Sequence, residues 1–127
     1  MIKTSGELKD LERKQLILLG QIAQNFERMG DELRYLIERI EIKIAEELFF
    51  SEIGLKQYQE VFEKMRSSVN LVDKFLLEKT MTLLDQIKRN GDDMKQLVEQ
   101  YRFEHLDRLT RGVCQPRAAN IFFDMLD

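Results

Sequence analysis

The stretch Leu55-Lys-Gln-Tyr-Gln-Glu-Val-Phe-Glu-Lys-Met-Arg-Ser-Ser-Val-Asn-Leu-Val-Asp-Lys-Phe-Leu76 decides how the chain is read. Its apolar side chains fall at Leu55, Tyr58, Phe62, Met65, Val69, Val72 and Leu76, in steps that alternate between three and four residues. Side chains at those spacings share one face of an α-helix, and sustained alternation is the mark of a coiled-coil seam. Leu83 and Ile87 extend the stripe beyond an interruption at Lys79, so the pattern predicts one helix from about residue 55 to 89.

The same period runs upstream. Leu8, Leu11, Leu18, Ile22, Phe26, Met29, Leu33, Leu36, Ile40 and Ile44 form a second stripe, predicting a first helix over residues 5–50. Thr4-Ser-Gly-Glu7 has the spacing of a capping box at its start. Ser51-Glu-Ile-Gly54 reads as the break between the two, with Ser51 as a cap. Asn90-Gly91 reads as a left-handed stop, and Asp92 and Asp93 suit the first turn of a third helix over residues 92–110. Met94, Val98, Tyr101, His105 and Leu109 line its face. Arg111-Gly112 closes it. Pro116 then fits the first position of a fourth helix, where Ala119, Phe122, Phe123 and Leu126 form a stripe.

One proline and six glycines in 127 residues leave few breakers. The expectation is an all-α protein. It takes the form of an elongated antiparallel helical bundle, with two long helices, one shorter helix and the start of a fourth. The whole chain, 1–127, reads as one domain whose last helix is cut short. The unequal lengths leave part of the long seam without a third layer, which predicts that a second copy in a homo-oligomer, or missing downstream sequence, covers it.

Composition removes several classes. One cysteine, Cys114, forms no internal disulfide, and one histidine, His105, supplies no two-histidine metal site. With 20 basic and 23 acidic residues, the net charge is −3 and no basic block is present, which argues against nucleic acid as a partner. No apolar run approaches the 18 or more residues of a membrane span, and Met1-Ile-Lys-Thr-Ser-Gly-Glu7 lacks the apolar core of a secretory leader. The expected location is therefore the cytoplasm, with no membrane insertion by this chain.

Two places carry chemistry. Glu27-Arg-Met-Gly-Asp31 sets two carboxylates four apart on one helix face, where they repel, and places Gly30 in a helix interior. A hard cation would offset both penalties, so Glu27 and Asp31 are the candidate metal ligands, and a solvated acidic patch is the competing reading. His105, flanked by Glu104 and Asp107, forms a possible second polar site, although its place on the apolar stripe favours a core histidine. Arg102, Arg108 and Arg111 read as a solvated basic face. Cys114 precedes a helix start but lacks an orienting base. No catalytic constellation emerges, so the chain is not expected to be an enzyme.

Phe26-Glu-Arg-Met-Gly-Asp31 resembles the LERIGD signature of PhoU-like helical domains. Arg102-Phe-Glu-His-Leu-Asp-Arg-Leu-Thr-Arg-Gly112 resembles a stretch of the PhoU-like domains at the cytosolic C-terminus of bacterial sodium/phosphate cotransporters. Gln115 to Leu126 resembles the helix leading into the second copy of the signature there. The resemblance implies three-helix units with carboxylate surface sites for divalent or iron-type metal ions. It implies a regulatory role in phosphate transport, either as the cytosolic part of a parent transporter that tethers it to the inner membrane or as a free-standing relative. The partner would be the transporter membrane domain or a phosphate-signalling protein. The chain departs from the family at Glu32, where the family has His. Asp92, Asp93 and Glu99 also lack the four-residue acidic spacing, and a second signature would fall after Asp127.

Overall fold

A computed structural model describes residues 5–127, except the side chains of Ser5, Glu7 and Leu8. The capping box expected at Thr4–Glu7 lies outside the described residues. Four helices make up the described chain: α1 (Ser5–Ala45), α2 (Glu52–Glu78), α3 (Met81–Thr110) and α4 (Pro116–Leu126).

The helix ends explain the layout. After α1, Glu47 adopts a left-handed backbone (φ 51°), the Leu48 amide donates to the Lys43 carbonyl at 2.9 Å, and the Glu47 amide donates to Ile44 at 3.2 Å. That is a Schellman ending, which usually recruits glycine. Ser51 then caps α2, its hydroxyl accepting from the Gly54 amide at 3.1 Å. Lys79 is again left-handed (φ 51°) and closes α2, and Thr80 caps α3 by accepting from the Leu83 amide at 3.3 Å. The end of α3 uses glycine: Gly112 has φ 71°, with bonds from Gly112 to Leu109 and from Val113 to Arg108, each 3.0 Å.

Three expectations therefore need correction. The first helix ends at Ala45, not near residue 50. The second helix stops at Glu78, not residue 89, and the third begins at Met81, not residue 92. With 30 residues, α3 is longer than α2 with 27, so the picture of two long helices and one shorter third helix fails. Asn90-Gly91 runs inside α3 without interruption. The Asn90 carboxamide donates across to the Lys64 carbonyl at 3.2 Å and to the Ser68 hydroxyl, so it joins two helices instead of capping one. Gly91 costs the helix about 1 kcal/mol relative to alanine, too little to break a helix that a neighbour supports.

The chain divides into two compact units, residues 1–41 and 42–127. Within the first, α1 carries the predicted stripe, and Ile22, Phe26, Met29 and Leu33 on it are exposed. Within the second, α2 and α3 form an antiparallel hairpin. Gln57 meets Glu104, Glu60 meets Tyr101, and Ser68 meets Asn90, so the numbering rises on one helix as it falls on the other. The short α4 packs on this hairpin. Its Ala119 and Phe122 are wholly buried, and Ile121 nearly so. Tyr101, Phe122 and Leu126 form one apolar cluster, and Leu48, Ala118 and Ile121 form another, with Phe50 touching both. Among the described residues, no helix is long and apolar enough to cross a membrane.

The face that α2 turns inward also differs from expectation. Gly54, Gln57, Val61, Lys64, Ser68, Leu71 and Phe75 are buried or half-buried. Most of the predicted seam points to solvent instead: Leu55 is 49% exposed, Val69 54% and Leu76 61%. At the start of that face a small residue meets α4. Gly54 lies against Phe122, where an added Cβ would sit 3.5 Å from the ring and 3.3 Å from the Ser51 hydroxyl.

Candidate functional site

The richest chemistry in the described chain lies where α2, α3 and α4 meet. Turns of α3 at three- and four-residue spacing bring Tyr101, His105 and Arg108 inward, and all three are buried. The Arg108 guanidinium donates through one nitrogen to Gln57 Oε1 at 2.7 Å and to His105 Nδ1 at 3.0 Å. Gln57, itself buried, passes its amide on to Glu104 at 2.5 Å, and Gln100 donates to the second Glu104 oxygen at 2.7 Å. One turn earlier, the Tyr101 hydroxyl donates to Glu60 at 2.5 Å. A carboxylate, two amides, a guanidinium and an imidazole thus form one chain of bonds across the hairpin. Such a network rigidifies a core when its members are satisfied.

Electrostatics set the state of each member. Burial pushes His105 down to about 4, and the Arg108 charge beside it acts in the same direction. The ring is therefore neutral near pH 7. A guanidinium can only donate, so Nδ1 must accept, which places the imidazole proton on Nε2. That Nε2 is buried and has no hydrogen-bond partner, as is Arg108 Nε. Burial, with the bond to Glu60, pushes Tyr101 up to about 12 and keeps its hydroxyl protonated. The His105 ring stacks on Phe122 at 4.2 Å between centroids and meets the edge of Phe123 at 5.1 Å.

Beside this network lies a cavity of about 280 Å³. The 46–51 connector contributes Phe50 and Ser51, α3 contributes His105, and the 111–115 turn and α4 contribute Cys114, Ala118 and Ala119. The Glu46 carboxylate, on the same connector, takes a two-pronged bond from Arg117 of α4 at 2.6 and 2.8 Å. That bond holds Glu46 below the usual carboxylate range.

The sequence candidates fare differently. His105 and Glu104 join the network through Arg108 and Gln57. Asp107 does not: it is exposed and pairs with Arg111 at 3.5 Å. Arg108, expected on a solvated face, is buried, which corrects that reading. Its spacing from His105 was legible, but the reason for its burial, Gln57 on another helix, was not. Glu27 and Asp31 lie in the first unit, both exposed, with Asp31 within 4.0 Å of Arg34. Among the described residues, no group of three or more His, Cys, Asp or Glu is placed to hold a metal ion. Two carboxylates supply a minority of the six or more oxygens a hard cation takes, so an ion at this pair would need water or another chain for the rest. No protein-family model, curated protein or solved structure matches the chain.

Proposed function

We propose that this chain is a non-enzymatic helical docking module that serves as a regulatory accessory of phosphate transport. The observation that carries the docking part is the outward face of α2. Leu55, Phe62, Met65, Val69, Val72 and Leu76 repeat at coiled-coil spacing yet stay exposed, while α2 packs on α3 through a less apolar face. An apolar stripe of that regularity suits a partner helix better than water. The phosphate-transport part rests on the PhoU-like stretches Phe26–Asp31 and Arg102–Gly112. In this reading the partner is a transporter membrane domain or a phosphate-signalling protein in the cytoplasm, and metal at Glu27 and Asp31 biases the docking.

Two variants test the parts separately. Met65→Glu/Val72→Glu on the outer face should abolish partner docking and deregulate phosphate uptake, with the helical circular-dichroism signal retained. Unchanged uptake would remove the transport role. Metal analysis of the purified chain beside Glu27→Ala/Asp31→Ala addresses the cation: stoichiometric metal lost in the variant supports the site, and an empty wild-type chain after metal is offered removes it from this chain alone. If docking persists in Glu27→Lys/Asp31→Lys with unaltered regulation, the chain is a structural interaction module only.

A further inference from the structure

We propose that two copies of this chain associate through α1, whose apolar stripes pack antiparallel with Leu18 of one copy opposite Met29 of the other. This contact is separate from docking on the outer face of α2 and stands or falls without it. The α1 stripe repeats every eleven residues. Leu11, Ile22, Leu33 and Ile44 form one row, Leu18, Met29 and Ile40 a second, and Phe26 and Ile37 a third, all exposed. Among the described residues, the first unit contains no second helix to cover them. Residues 15–26 carry no charge, and Leu16, Ile17, Leu18 and Leu19 are each more than half exposed, so this segment presents apolar side chains on every side. A helix of that kind belongs inside an assembly, and a long helix draws most of its stability from packing.

The period identifies what covers the stripe. On a 3.6-residue helix, an eleven-residue repeat turns right-handed and a seven-residue repeat left-handed, by about 20° per repeat in each case. Two helices stay in contact over their length only when their stripes turn together. The outer face of α2 repeats every seven residues, at Leu55, Phe62, Val69 and Leu76, so over its length it departs from the α1 stripe by about 100°. The face of α3 that repeats every eleven, Leu83, Met94 and His105, is already half-buried or buried. That leaves α1 of a second copy, which carries the same repeat by identity.

Charge sets the direction. Asp10 and Arg39 border the stripe on one side, Glu12 and Arg34 on the other. Antiparallel packing with Leu18 opposite Met29 brings Asp10 to Arg39 and Glu12 to Arg34 of the second copy, each pair twice by symmetry. Parallel packing would instead set Asp10 beside Glu12 of the second copy. Glu27 and Asp31 lie on the far side of the helix from the stripe, clear of this contact.

Sedimentation equilibrium of the full chain tests the association. The wild-type chain should form a dimer or a multiple of it at micromolar concentration. Ile22→Glu/Met29→Glu should weaken it by at least about a hundredfold, whereas Met65→Glu/Val72→Glu on α2 should leave it unchanged. Asp10→Arg should weaken it by about fivefold, and Asp10→Arg/Arg39→Asp should restore it. Direction is read by mixing Leu18→Cys and Met29→Cys chains, each also carrying Cys114→Ser, under mild oxidation. The mixture should cross-link between the two variants. Leu18→Cys alone should not, because its two sites lie about 17 Å apart along the axis, beyond disulfide reach. A monomeric or trimeric wild-type chain, or association that survives Ile22→Glu/Met29→Glu, would overturn the proposal. Cross-linking of Leu18→Cys to itself, or none in the mixture, would overturn the antiparallel arrangement. If a glutamate variant fails to fold, the wild-type sedimentation and the cysteine mixtures decide.

Discussion

The two faces of α2 present opposite solutions to one problem. The inner face, Gly54, Gln57, Val61, Lys64, Ser68, Leu71 and Phe75, is compositionally mixed and packed against α3. The outer face, Leu55, Phe62, Met65, Val69, Val72 and Leu76, is apolar throughout and exposed. Close packing and cross-helix hydrogen bonds, including Asn90 to Ser68 and Gln57 to Glu104, hold the inner face. Apolar strength therefore does not by itself choose which face a chain buries in its own hairpin. Small residues let backbones approach, and polar residues that find partners cost little. The strongest stripe is left available to another surface.

This comparison can be broken most severely at the inner core. Phe122→Ala removes a wholly buried ring that touches Phe50, His105 and Phe123. It should cost about 3–5 kcal/mol in urea denaturation. A loss below about 1 kcal/mol would mean the inner face is not the stabilising one.

Acid probes the same region next. The His105 ring is held near 4 when folded and takes up a proton near 6.5 when unfolded, so the unfolded state binds more protons between these values. Stability is fully present above about pH 6.5 and is lost as pH falls toward 4, by about 3 kcal/mol in total. The slope of stability against pH in that window should flatten in His105→Phe.

Helix ends give smaller effects of opposite sign. Gly112→Ala places a Cβ on a left-handed backbone and should destabilise by about 1–2 kcal/mol. Glu47→Gly and Lys79→Gly relieve the same strain at φ 51° and should stabilise by about 1 kcal/mol each. Thermal melts that ranked all three alike would remove left-handed strain as the cause. Gly30 and Gly91 stand in helix interiors where an added Cβ meets open space, so each change to Ala should stabilise by about 0.5–1 kcal/mol.

The smallest effect sharpens the comparison. Val69→Ser on the outer face of α2 should alter the stability of the isolated chain by no more than about 0.5 kcal/mol. A loss of several kcal/mol would show that the outer face is already buried by a second copy under the conditions used.

The legibility of the fold followed the same division. Helical content, the end at Gly112 and the start at Pro116 came directly from residue types. Glycine misled at Gly91 and Gly54, and two true stops went unseen because Glu47 and Lys79 occupy left-handed positions that glycine normally takes. The interruption at Lys79 in the stripe was visible, and Thr80 beside it is a competent cap. Their meaning depended on Asn90 finding Ser68 and Lys64 on another helix, which relieved it of the capping role. In the polar network, His105 and Glu104 drew notice as titratable residues, whereas Gln57 offered no chemical signal and Arg108 looked like surface charge.

Local chemistry alone therefore determined that this chain is helical, because periodicity and the scarcity of breakers act within a few residues of each site. It also determined which side chains share each face. Only the tertiary structure decided which face of α2 is buried, where α2 ends, and that a neutral histidine with an orphaned nitrogen is buried against α4. Those outcomes depend on contacts between residues far apart in sequence, 51 positions between Gln57 and Arg108 and 71 between Glu46 and Arg117, and no local preference encodes them.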